Sequence, residues 1–493
     1  MAARFSFGEI VKATGGIPAG AATAENAVSV TGVSTDTRTL HTGDAFFALI
    51  GENHDAHDHL DEAAAKGAAL LAVSDASKVP AGFAGAVLVT EDTLRAYQEL
   101  AAYYRQKIDP LVIAVTGSVG KTTTKDMIGC VLTNKARVSY TRGNLNNHIG
   151  LPRTILEAEE DTEILVVEMG MSLAGEIKRL CEIALPDVAV ITNIGISHRE
   201  GFDSDDGILY AKYEIASFLG EGGALIIDAG GYPKLEKLAA EGRREKGFDL
   251  LRVAAEGTAA AEYADYIVYG TRVSEEDPAV SLFGIRERQE NEAVDFSVPV
   301  PGAYIGMSAA LASAACSRAG AGLKDASKAL MSLKRTAHRL DPAVINGVIL
   351  IDDTYNASPD SAKSGLEYLK NLKTEKRIAV LADMLGLGVM TEAMHREIGA
   401  AAVNAGADRI YAYGDNARWI AEGAEEAAAG IGDAPETYYY GPEEKEEMIK
   451  QLRKVARKGS AIYVKGSNAM KMVEVVTALM GYAAETEDGD DPY

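Results

Sequence analysis

A glycine-containing loop followed by lysine and threonine is the clearest chemical feature of this sequence. The segment from Leu111 to Met127 reads LVIAVTGSVGKTTTKDM. An apolar, β-branched run ends at Thr116, a short loop follows, and a helical pattern begins near Lys121, which is the order that a phosphate-binding loop requires. Backbone N–H groups at such a helix start bind anions. Lys121 adds a cation for the β- and γ-phosphates, and Thr122 adds a hydroxyl for Mg²⁺. The segment therefore predicts nucleoside triphosphate binding.

The loop has the shorter form of this motif, G-x-x-G-K-T, because Val115 stands where the longer pattern has a glycine. The residues predicted to surround the phosphates are Gly117, Ser118, Val119, Gly120, Lys121, Thr122 and Thr123.

Polar residues also follow two later strand patterns. Glu168 ends the apolar run 164–167, where a carboxylate is placed to hold Mg²⁺ directly or through water. Asn193 and His198 follow the next such run and point to the same edge of a sheet, although a lone histidine is as often structural. Lys212 has the local pattern of a solvent-facing helix lysine.

Two polar loops each allow two interpretations. The segment 141–152 contains Asn144, Asn146 and Asn147, whose amides suit sugar hydroxyls, peptide groups or phosphates, but which equally suit turns; the residues alone favour turns. The segment 53–59, NHDAHDH, is rich in histidine but lacks the spacing of a standard zinc site. It more closely fits a loop that lines a ligand cleft.

Composition limits the classes of partner. The chain has 493 residues, 47% of them apolar, and a net charge of −23. This excess of acidic residues argues against nucleic acid or an anionic membrane surface as the main partner. The three cysteines lack metal-ligand spacing, as expected for reduced thiols. With no signal-peptide pattern and no apolar run near the ~18 residues of a membrane span, we expect a soluble, cytoplasmic protein.

Alternating strand and helix patterns predict an α/β protein with about three domains. We expect a mixed α/β domain over residues 1–108, and a central domain over 109–337 that carries the phosphate loop on a mainly parallel sheet and a β-rich segment at 262–301. A Rossmann-like domain is expected over 338–493, with an acidic, disordered tail from about residue 485.

Taken together, the motifs resemble the Mur ligase family, ATP-dependent amide-forming enzymes of bacterial peptidoglycan synthesis. The segments that carry this resemblance are TGSVGKTTTK (116–125), GNLNNHIGLP (143–152), VVEMGM (166–171), ITNIGISH (191–198), AKYEI (211–215), HRLD (338–341), IDDTYNASPDS (351–361), LADM (381–384) and VKGSNAMKM (464–472). Three of these segments, at 351–361, 381–384 and 464–470, are most similar to the members that join D-alanyl-D-alanine to UDP-N-acetylmuramoyl-tripeptide. Residues 32–59 are similar to the family's uridine-nucleotide-binding domain.

The resemblance implies a reaction with an acyl-phosphate intermediate. A substrate carboxylate attacks the γ-phosphate of ATP, and an amino group then displaces the phosphate to form an amide. Because carboxylate and triphosphate are both anions, cations and precise positioning would lower the barrier.

The resemblance also assigns roles to the metal-site candidates. Thr122 and Glu168 would hold the Mg²⁺ that bridges the β- and γ-phosphates, and His198 would help to hold a second Mg²⁺. Lys212 stands where many of these ligases carry a carbamylated lysine, whose anion supports a metal.

The remaining roles concern nucleotide and substrate. Arg339 would reach the ATP phosphates, Asp353 the ribose, and Asn356 the nucleotide or substrate edge. The uridine-diphosphate pocket would be lined by Ser34, Asp36 and Arg38. Because Arg339 and Asp353 lie far in sequence from the phosphate loop, we expect the third domain to close over the central one.

Three positions depart from the family pattern. His338 stands where many relatives have glycine, Gly386 replaces a common acidic residue, and Ala56 replaces a common glycine.

Other functions stay open at this point. The nearest is another ligase of the superfamily, either of the MurE type, which adds the third amino acid, or a folylpolyglutamate synthase. The third domain lacks the sequence DNPR typical of ligases that add diaminopimelate. A different class is a phosphate-loop ATPase switch or motor. The sequence does not specify whether the tripeptide ends in lysine or diaminopimelate, and a monomer is expected from the family.

Overall fold

The computed structural model describes residues 4–19, 28–195, 202, 204–302 and 304–485. His198 and the acidic tail beyond residue 485 therefore lie outside the described residues. The described residues form one sheet of two strands and three larger sheets of five, nine and six strands. Helices lie between most of the successive parallel strands, which confirms the predicted α/β class.

The first region contains the two-stranded and five-stranded sheets. Its strands are β1 (Phe5–Ser6), β2 (Ile17–Ala19), β3 (Ser29–Val30), β4 (Val33–Ser34), β5 (Ala45–Phe47), β6 (Leu70–Val73) and β7 (Ala86–Val89), and its helices are α1 (Phe7–Thr14), α2 (Leu60–Ala65) and α3 (Thr93–Ile108). The five-stranded sheet has the order β2-β7-β6-β5-β4, with only β2 antiparallel to its neighbour. Tyr104, on α3, donates through its hydroxyl to the carbonyl of Ala158 at 2.8 Å, which ties this region to the next.

The central region contains the nine-stranded sheet. Its strands are β8 (Leu111–Thr116), β9 (Val138–Tyr140), β10 (Ile164–Glu168), β11 (Val188–Ile191), β12 (Ala224–Asp228), β13 (Asp249–Ala255), β14 (Tyr266–Val273), β15 (Ser281–Glu287) and β16 (Glu292–Val298). The helices are α4 (Lys121–Leu132), α5 (Gly150–Leu156), α6 (Glu176–Ala184), α7 (Asp205–Tyr213), α8 (Pro233–Lys246), α9 (Ile305–Ser317) and α10 (Leu323–Leu330). The order is β16-β15-β14-β13-β12-β11-β8-β10-β9. The predicted β-rich segment forms β14 to β16, an antiparallel extension of this sheet.

The third region contains the six-stranded sheet. Its strands are β17 (Asp341–Ile345), β18 (Val348–Asp353), β19 (Lys376–Ala382), β20 (Arg409–Tyr413), β21 (Glu436–Tyr440) and β22 (Ser460–Lys465). The helices are α11 (Pro359–Asn371), α12 (Thr391–Asn404), α13 (Arg418–Ala428), α14 (Lys445–Val455) and α15 (Val473–Glu485). The order is β17-β18-β22-β19-β20-β21, and all pairs except β17–β18 are parallel.

The pairing of β10, β8 and β11 places the chemistry at one edge of the central sheet. These three strands are parallel neighbours, with Glu168 opposite Val115 and Ile191 opposite Thr116. Their carboxyl ends therefore bring Glu168, the loop after Thr116 and the loop after Ile191 together. None of the described helices has the length and apolar character needed to cross a membrane.

Candidate active site

The phosphate loop connects β8 to α4, as predicted. Gly117 has φ +149°, and a Cβ atom at this position would lie 1.9 Å from the hydroxyl oxygen of Thr192. Gly120, with φ +85°, precedes the first residue of α4. Gly117 favours glycine because the end of the neighbouring strand is close, and Gly120 favours glycine because its backbone is left-handed.

The side chain of Asn193 holds this loop in place through hydrogen bonds. Its side-chain oxygen accepts hydrogen bonds from the N–H groups of Ser118 at 3.0 Å and Val119 at 2.9 Å. The hydroxyl of Ser118 donates to the carbonyl of Gly195 at 3.0 Å. In this structure the Asn193 side chain holds the phosphate loop, and the predicted contact of Asn193 with the nucleotide stays a prediction.

Lys121 is folded over the same loop. Its ammonium donates to the carbonyls of Gly117 at 2.7 Å and Ser118 at 3.3 Å. Burial lowers the pKa of Lys121, the negative charge of Glu168 opposes this shift, and the positive charge of Arg339 adds to it. The three charges therefore interact, although they come from two regions of the chain.

Glu168 is buried, with 2% of its surface exposed. Its Oε1 accepts from Asn146 Nδ2 at 2.8 Å, and its backbone N–H donates to the hydroxyl of Thr141 at 3.0 Å. Its Oε2 is buried and has no hydrogen-bond partner among the described residues. A buried carboxylate oxygen without a donor is costly unless a cation balances it. With the hydroxyl of Thr122 in the same cleft, these oxygen donors suit Mg²⁺.

The asparagine-rich loop forms the predicted turn, while ligand binding by its side chains stays a prediction. Asn144, Asn146 and Asn147 all line the cleft. The side-chain oxygen of Asn147 accepts from the N–H groups of Ile149 at 3.2 Å and Gly150 at 2.8 Å, which stabilises the turn into α5. Asn146 instead orients Glu168.

Lys212 is buried, and its predicted solvent-facing position is wrong. It lies on α7 with 1% of its surface exposed. Burial lowers the pKa of Lys212 well below its ordinary value, and the positive charge of Lys121 acts in the same direction. The helix pattern did not reveal this because the surface that covers Lys212 comes from elsewhere in the chain.

Arg339 enters the cleft from the third region. Its guanidinium carbon lies 4.0 Å from the centre of the Tyr355 ring, a cation–π contact. Its Nε is buried without a hydrogen-bond partner in the described part of the chain. Tyr355 belongs to a motif that carried the family resemblance, but the sequence did not indicate that it supports Arg339.

Asp353 is fully engaged by neighbouring donors. Its Oδ2 accepts from the Lys465 ammonium at 2.6 Å and the Tyr463 hydroxyl at 2.9 Å, and its Oδ1 accepts from the N–H of Leu340 at 3.1 Å. Lys465 also donates to the carbonyl of Asn356 at 3.1 Å. Asp353 and Asn356 both line the cleft. Their contact with the nucleotide stays a prediction.

Most of these groups surround one cleft of about 880 Å³ between the central and third regions, whereas Gly117, Asn193 and Lys212 are not among its lining residues. The predicted site residues that line it are Ser118, Val119, Gly120, Lys121, Thr122, Thr123, Asn144, Asn146, Asn147, Glu168, Arg339, Asp353 and Asn356.

The predicted uridine-nucleotide residues lie apart from this cleft, on the five-stranded sheet and the loop after it. Arg38 pairs with both carboxylate oxygens of Asp36, at 2.9 and 2.7 Å. This pairing lowers the pKa of Asp36 to about 2. The hydroxyl of Ser34 donates to the carbonyl of Asp36 at 2.9 Å.

The histidine-rich loop 53–59 is held by structural contacts. The Nδ1 of His57 lies 2.6 Å from Asp55 Oδ1, and its Nε2 accepts from the N–H of Ser74 at 3.0 Å. Ala56, which replaces a common glycine, is buried. No cluster of three or more metal-ligating side chains is present within the described residues.

Comparison with known proteins agrees with this geometry. A family model for the Mur ligase middle domain matches residues 115–316, and one for the Mur ligase, glutamate ligase domain matches residues 338–468. A UDP-N-acetylmuramoyl-tripeptide–D-alanyl-D-alanine ligase of Bacillus subtilis (strain 168) is 40% identical over 91% of this chain and 93% of its own length. The chain belongs to the Mur ligase family. The similarly named ligase of Escherichia coli (strain K12) is 35% identical over 92% of this chain and 94% of its own.

Solved structures of Mur ligases have the same fold. MurF from Acinetobacter baumannii gives a TM-score of 0.84 at 29% identity, covering 97% of this chain and 99% of its own. The MurF ligase of Thermotoga maritima in complex with ADP gives 0.78 at 26% identity, covering 92% and 97%. This Mur ligase is thus an ATP-dependent enzyme with the three-domain fold of its family.

Proposed function

We propose that this Mur ligase joins D-alanyl-D-alanine to UDP-N-acetylmuramoyl-tripeptide, with conversion of ATP to ADP and phosphate, during the synthesis of peptidoglycan precursors. Relatives named for this reaction match more than nine tenths of the chain. The observation that carries the proposal is the cleft in which Lys121 and Glu168 of one region lie near Arg339 of another. A site with cations from two regions suits a reaction between two anions.

The reaction proceeds in two steps. The terminal carboxylate of the tripeptide attacks the γ-phosphorus of ATP, the bond to the β-phosphate oxygen breaks, and ADP leaves an acyl phosphate behind. The free amine of the dipeptide then attacks the acyl carbon, its nitrogen loses a proton to phosphate or solvent, and the tetrahedral intermediate expels phosphate as the amide forms. Lys121 and Arg339 neutralise the charge that develops on the transferred phosphoryl group, and the loop held by Asn193 fixes its position.

Thr122 and Glu168 would hold the Mg²⁺ of this site. When bound there, the ion would supply positive charge that neutralises the β- and γ-phosphates. The buried, unpartnered Oε2 of Glu168 supports this assignment. For a second ion we propose His198, which lies outside the described residues, together with Lys212.

Lys212 suits carbamylation because it is a buried amine with a lowered pKa. A neutral amine is the form that attacks CO₂: the nitrogen lone pair forms an N–C bond, one C=O electron pair moves to oxygen, and the nitrogen loses a proton. The product is an anion that can hold a metal. Incubation with ¹³C-bicarbonate should give a carbamate carbon resonance in the wild type that is missing from Lys212→Ala. An identical spectrum for the two proteins would refute the modification.

The remaining assignments follow the family resemblance. We propose that Ser34, Asp36 and Arg38 contact the uridine diphosphate, and that Asp353 and Asn356 contact the nucleotide. The enzyme would act as a monomer in the cytoplasm, where ATP is available, and sedimentation of the purified protein tests the monomer.

A coupling assay tests the function directly. The enzyme is given ATP, Mg²⁺ and UDP-tripeptide ending in either lysine or diaminopimelate, with D-alanyl-D-alanine or single amino acids, and products are identified by mass spectrometry. We expect dipeptide addition and phosphate release only when both substrates are present. Phosphate release without them would indicate an ATPase switch. Addition of a single amino acid would indicate a MurE-type ligase.

Lys121→Ala is the variant that we expect to lose activity in this assay. We expect a roughly 100-fold lower rate, because one charged group that stabilises the transition state is removed. Lys178→Ala, which removes an exposed lysine of α6, is the control and should retain the wild-type rate.

A further inference from the structure

Arg339 lies between two residues with left-handed backbones. His338 has φ +63° and Leu340 has φ +47°. Residues other than glycine adopt this conformation infrequently, although asparagine, aspartate and histidine do so more often than the rest, and they keep it where surrounding contacts enforce it. The conformation explains why a glycine is common among relatives at the position of His338.

Contacts to the end of β18 enforce this backbone. The Nδ1 of His338 lies 2.7 Å from Asp352 Oδ2, and its carbonyl accepts from the N–H of Tyr355 at 2.9 Å. The N–H of Leu340 donates to Asp353 Oδ1 at 3.1 Å. Asp352 is itself fixed, since its other oxygen accepts from the N–H and hydroxyl of Thr354 at 3.1 and 2.7 Å.

The same segment determines where the Arg339 guanidinium lies. Tyr355 holds the carbonyl of His338 through its N–H and the guanidinium of Arg339 against its ring. A rotation of the His338 backbone would therefore move the Arg339 side chain away from this ring.

A short segment connects Arg339 to the central region. The hydroxyl of Thr336 donates to Asp126 Oδ2, on α4, at 3.1 Å. Only Ala337 lies between this residue, held by the phosphate-loop helix, and His338, held by β18. Arg339 is therefore attached to the third region through its neighbours in the chain. Its position relative to the phosphate loop depends on the contacts of His338.

We propose that His338 is a positioning residue of this ligase: its imidazole, paired with Asp352, maintains the left-handed backbone that directs Arg339 toward the ATP phosphates. The inference rests on the proposed function, in which Arg339 contacts these phosphates. It assigns a role to a residue at which the chain departs from the family pattern.

Three substitutions of His338 distinguish the effect of its left-handed backbone from the effect of its side-chain contact with Asp352. Asparagine and aspartate both tolerate a left-handed backbone and have the same size, but Asn can donate to Asp352 whereas Asp repels it. We expect His338→Asn to bind ADP and use ATP nearly as the wild type does. His338→Asp should show an about tenfold higher Kd for ADP and KM for ATP, corresponding to a lost contact of ordinary strength. His338→Gly, which keeps the backbone accessible but removes the contact, should lie between them.

ADP binding is measured by calorimetry, and KM and kcat by phosphate release. Equal Kd and KM values for the Asn and Asp variants would overturn the inference, as would a His338→Asn variant that binds ADP as weakly as His338→Asp. Should His338→Gly fail to fold, the Asn and Asp pair still decides. If the wild type binds ADP but joins no substrates, the proposed function fails while the calorimetric comparison still tests His338.

Discussion

Asn146 donates a hydrogen bond to one oxygen of the Glu168 carboxylate at 2.8 Å, and the other oxygen is buried without a partner among the described residues. This arrangement leaves the second oxygen available to a cation, as our proposal for Glu168 requires. Glu168→Gln keeps the size of the side chain but removes its charge. We expect the Mg²⁺ concentration for half-maximal rate to rise about tenfold or more, because a charged ligand is lost. Glu221→Gln, at an exposed position, should leave the Mg²⁺ dependence unchanged, and an unchanged dependence in Glu168→Gln would contradict the assignment.

Asn193 provides a second test, because it stabilises the phosphate loop without lining the cleft. Asn193→Ala removes the acceptor of the Ser118 and Val119 N–H groups. We expect a loss of about 1–3 kcal/mol in the free energy of unfolding, measured with urea, because partly buried donors lose their partner. The KM for ATP should rise as well.

Asn193→Asp is the matched control for that change. Its carboxylate still accepts both hydrogen bonds, so the free energy of unfolding should stay close to that of the wild type, while the added negative charge raises the KM for ATP. Equal stability of the Ala variant and the wild type would show that Asn193 does not support the loop.

The sequence predicted the phosphate loop and the α/β class because both depend on contiguous patterns. A strand, a loop and a helix start are predicted locally by an apolar run, two glycines and Lys121, without information from the rest of the chain. Glu168 was also predictable, since a carboxylate at the end of a parallel strand lies near the loop that follows the neighbouring strand.

The supporting contacts could not be predicted, because each joins residues far apart in the chain. Asn193 contacts a loop 74 residues earlier, and Lys465 pairs with Asp353 across 112 residues. The burial of Lys212 is a property of the surrounding elements and not of its own helix. The left-handed backbone of His338 was not predicted because histidine adopts positive φ only occasionally and is therefore a much weaker local sign of it than glycine.

The buried amine of Lys212 should make stability depend on pH. Because the pKa of Lys212 is lowered in the folded protein, the unfolded chain binds a proton that the folded one does not. The free energy of unfolding should therefore increase as pH rises toward the ordinary lysine pKa of about 10.4. In bicarbonate-free buffer at pH 7, Lys212→Met should be more stable than the wild type by more than about 1 kcal/mol, and the difference should shrink toward pH 10.

Lys125→Met is the control for that experiment. Lys125 is also buried, but its ammonium lies 2.5 Å from Asp126 Oδ1 and donates to the carbonyl of Thr141 at 2.7 Å. Replacing it leaves these acceptors without their partner, so this variant should be less stable than the wild type. A stability difference between Lys212→Met and the wild type that does not change with pH would contradict a neutral Lys212.

The two regions around the cleft should approach each other when substrates bind. Thr336 and Asp126 join them near the phosphate loop, and the hydroxyl of Tyr368 donates to the carbonyl of Pro278 at 2.6 Å on another part of the interface. These contacts provide fixed points about which the third region can rotate. Since Arg339 is attached to that region, closure would bring its charge to the phosphates and exclude water from the acyl phosphate.

Small-angle scattering measures this closure. For a chain of this length the expected radius of gyration is ~23 Å, and a non-hydrolysable ATP analogue with UDP-tripeptide should reduce it by about 1 Å. Arg339→Ala should bind the UDP-tripeptide but show a smaller reduction, because it lacks the charge that favours the closed arrangement. An unchanged radius in the wild type with both ligands bound, as verified by calorimetry, would show that the cleft works without rotation of the third region.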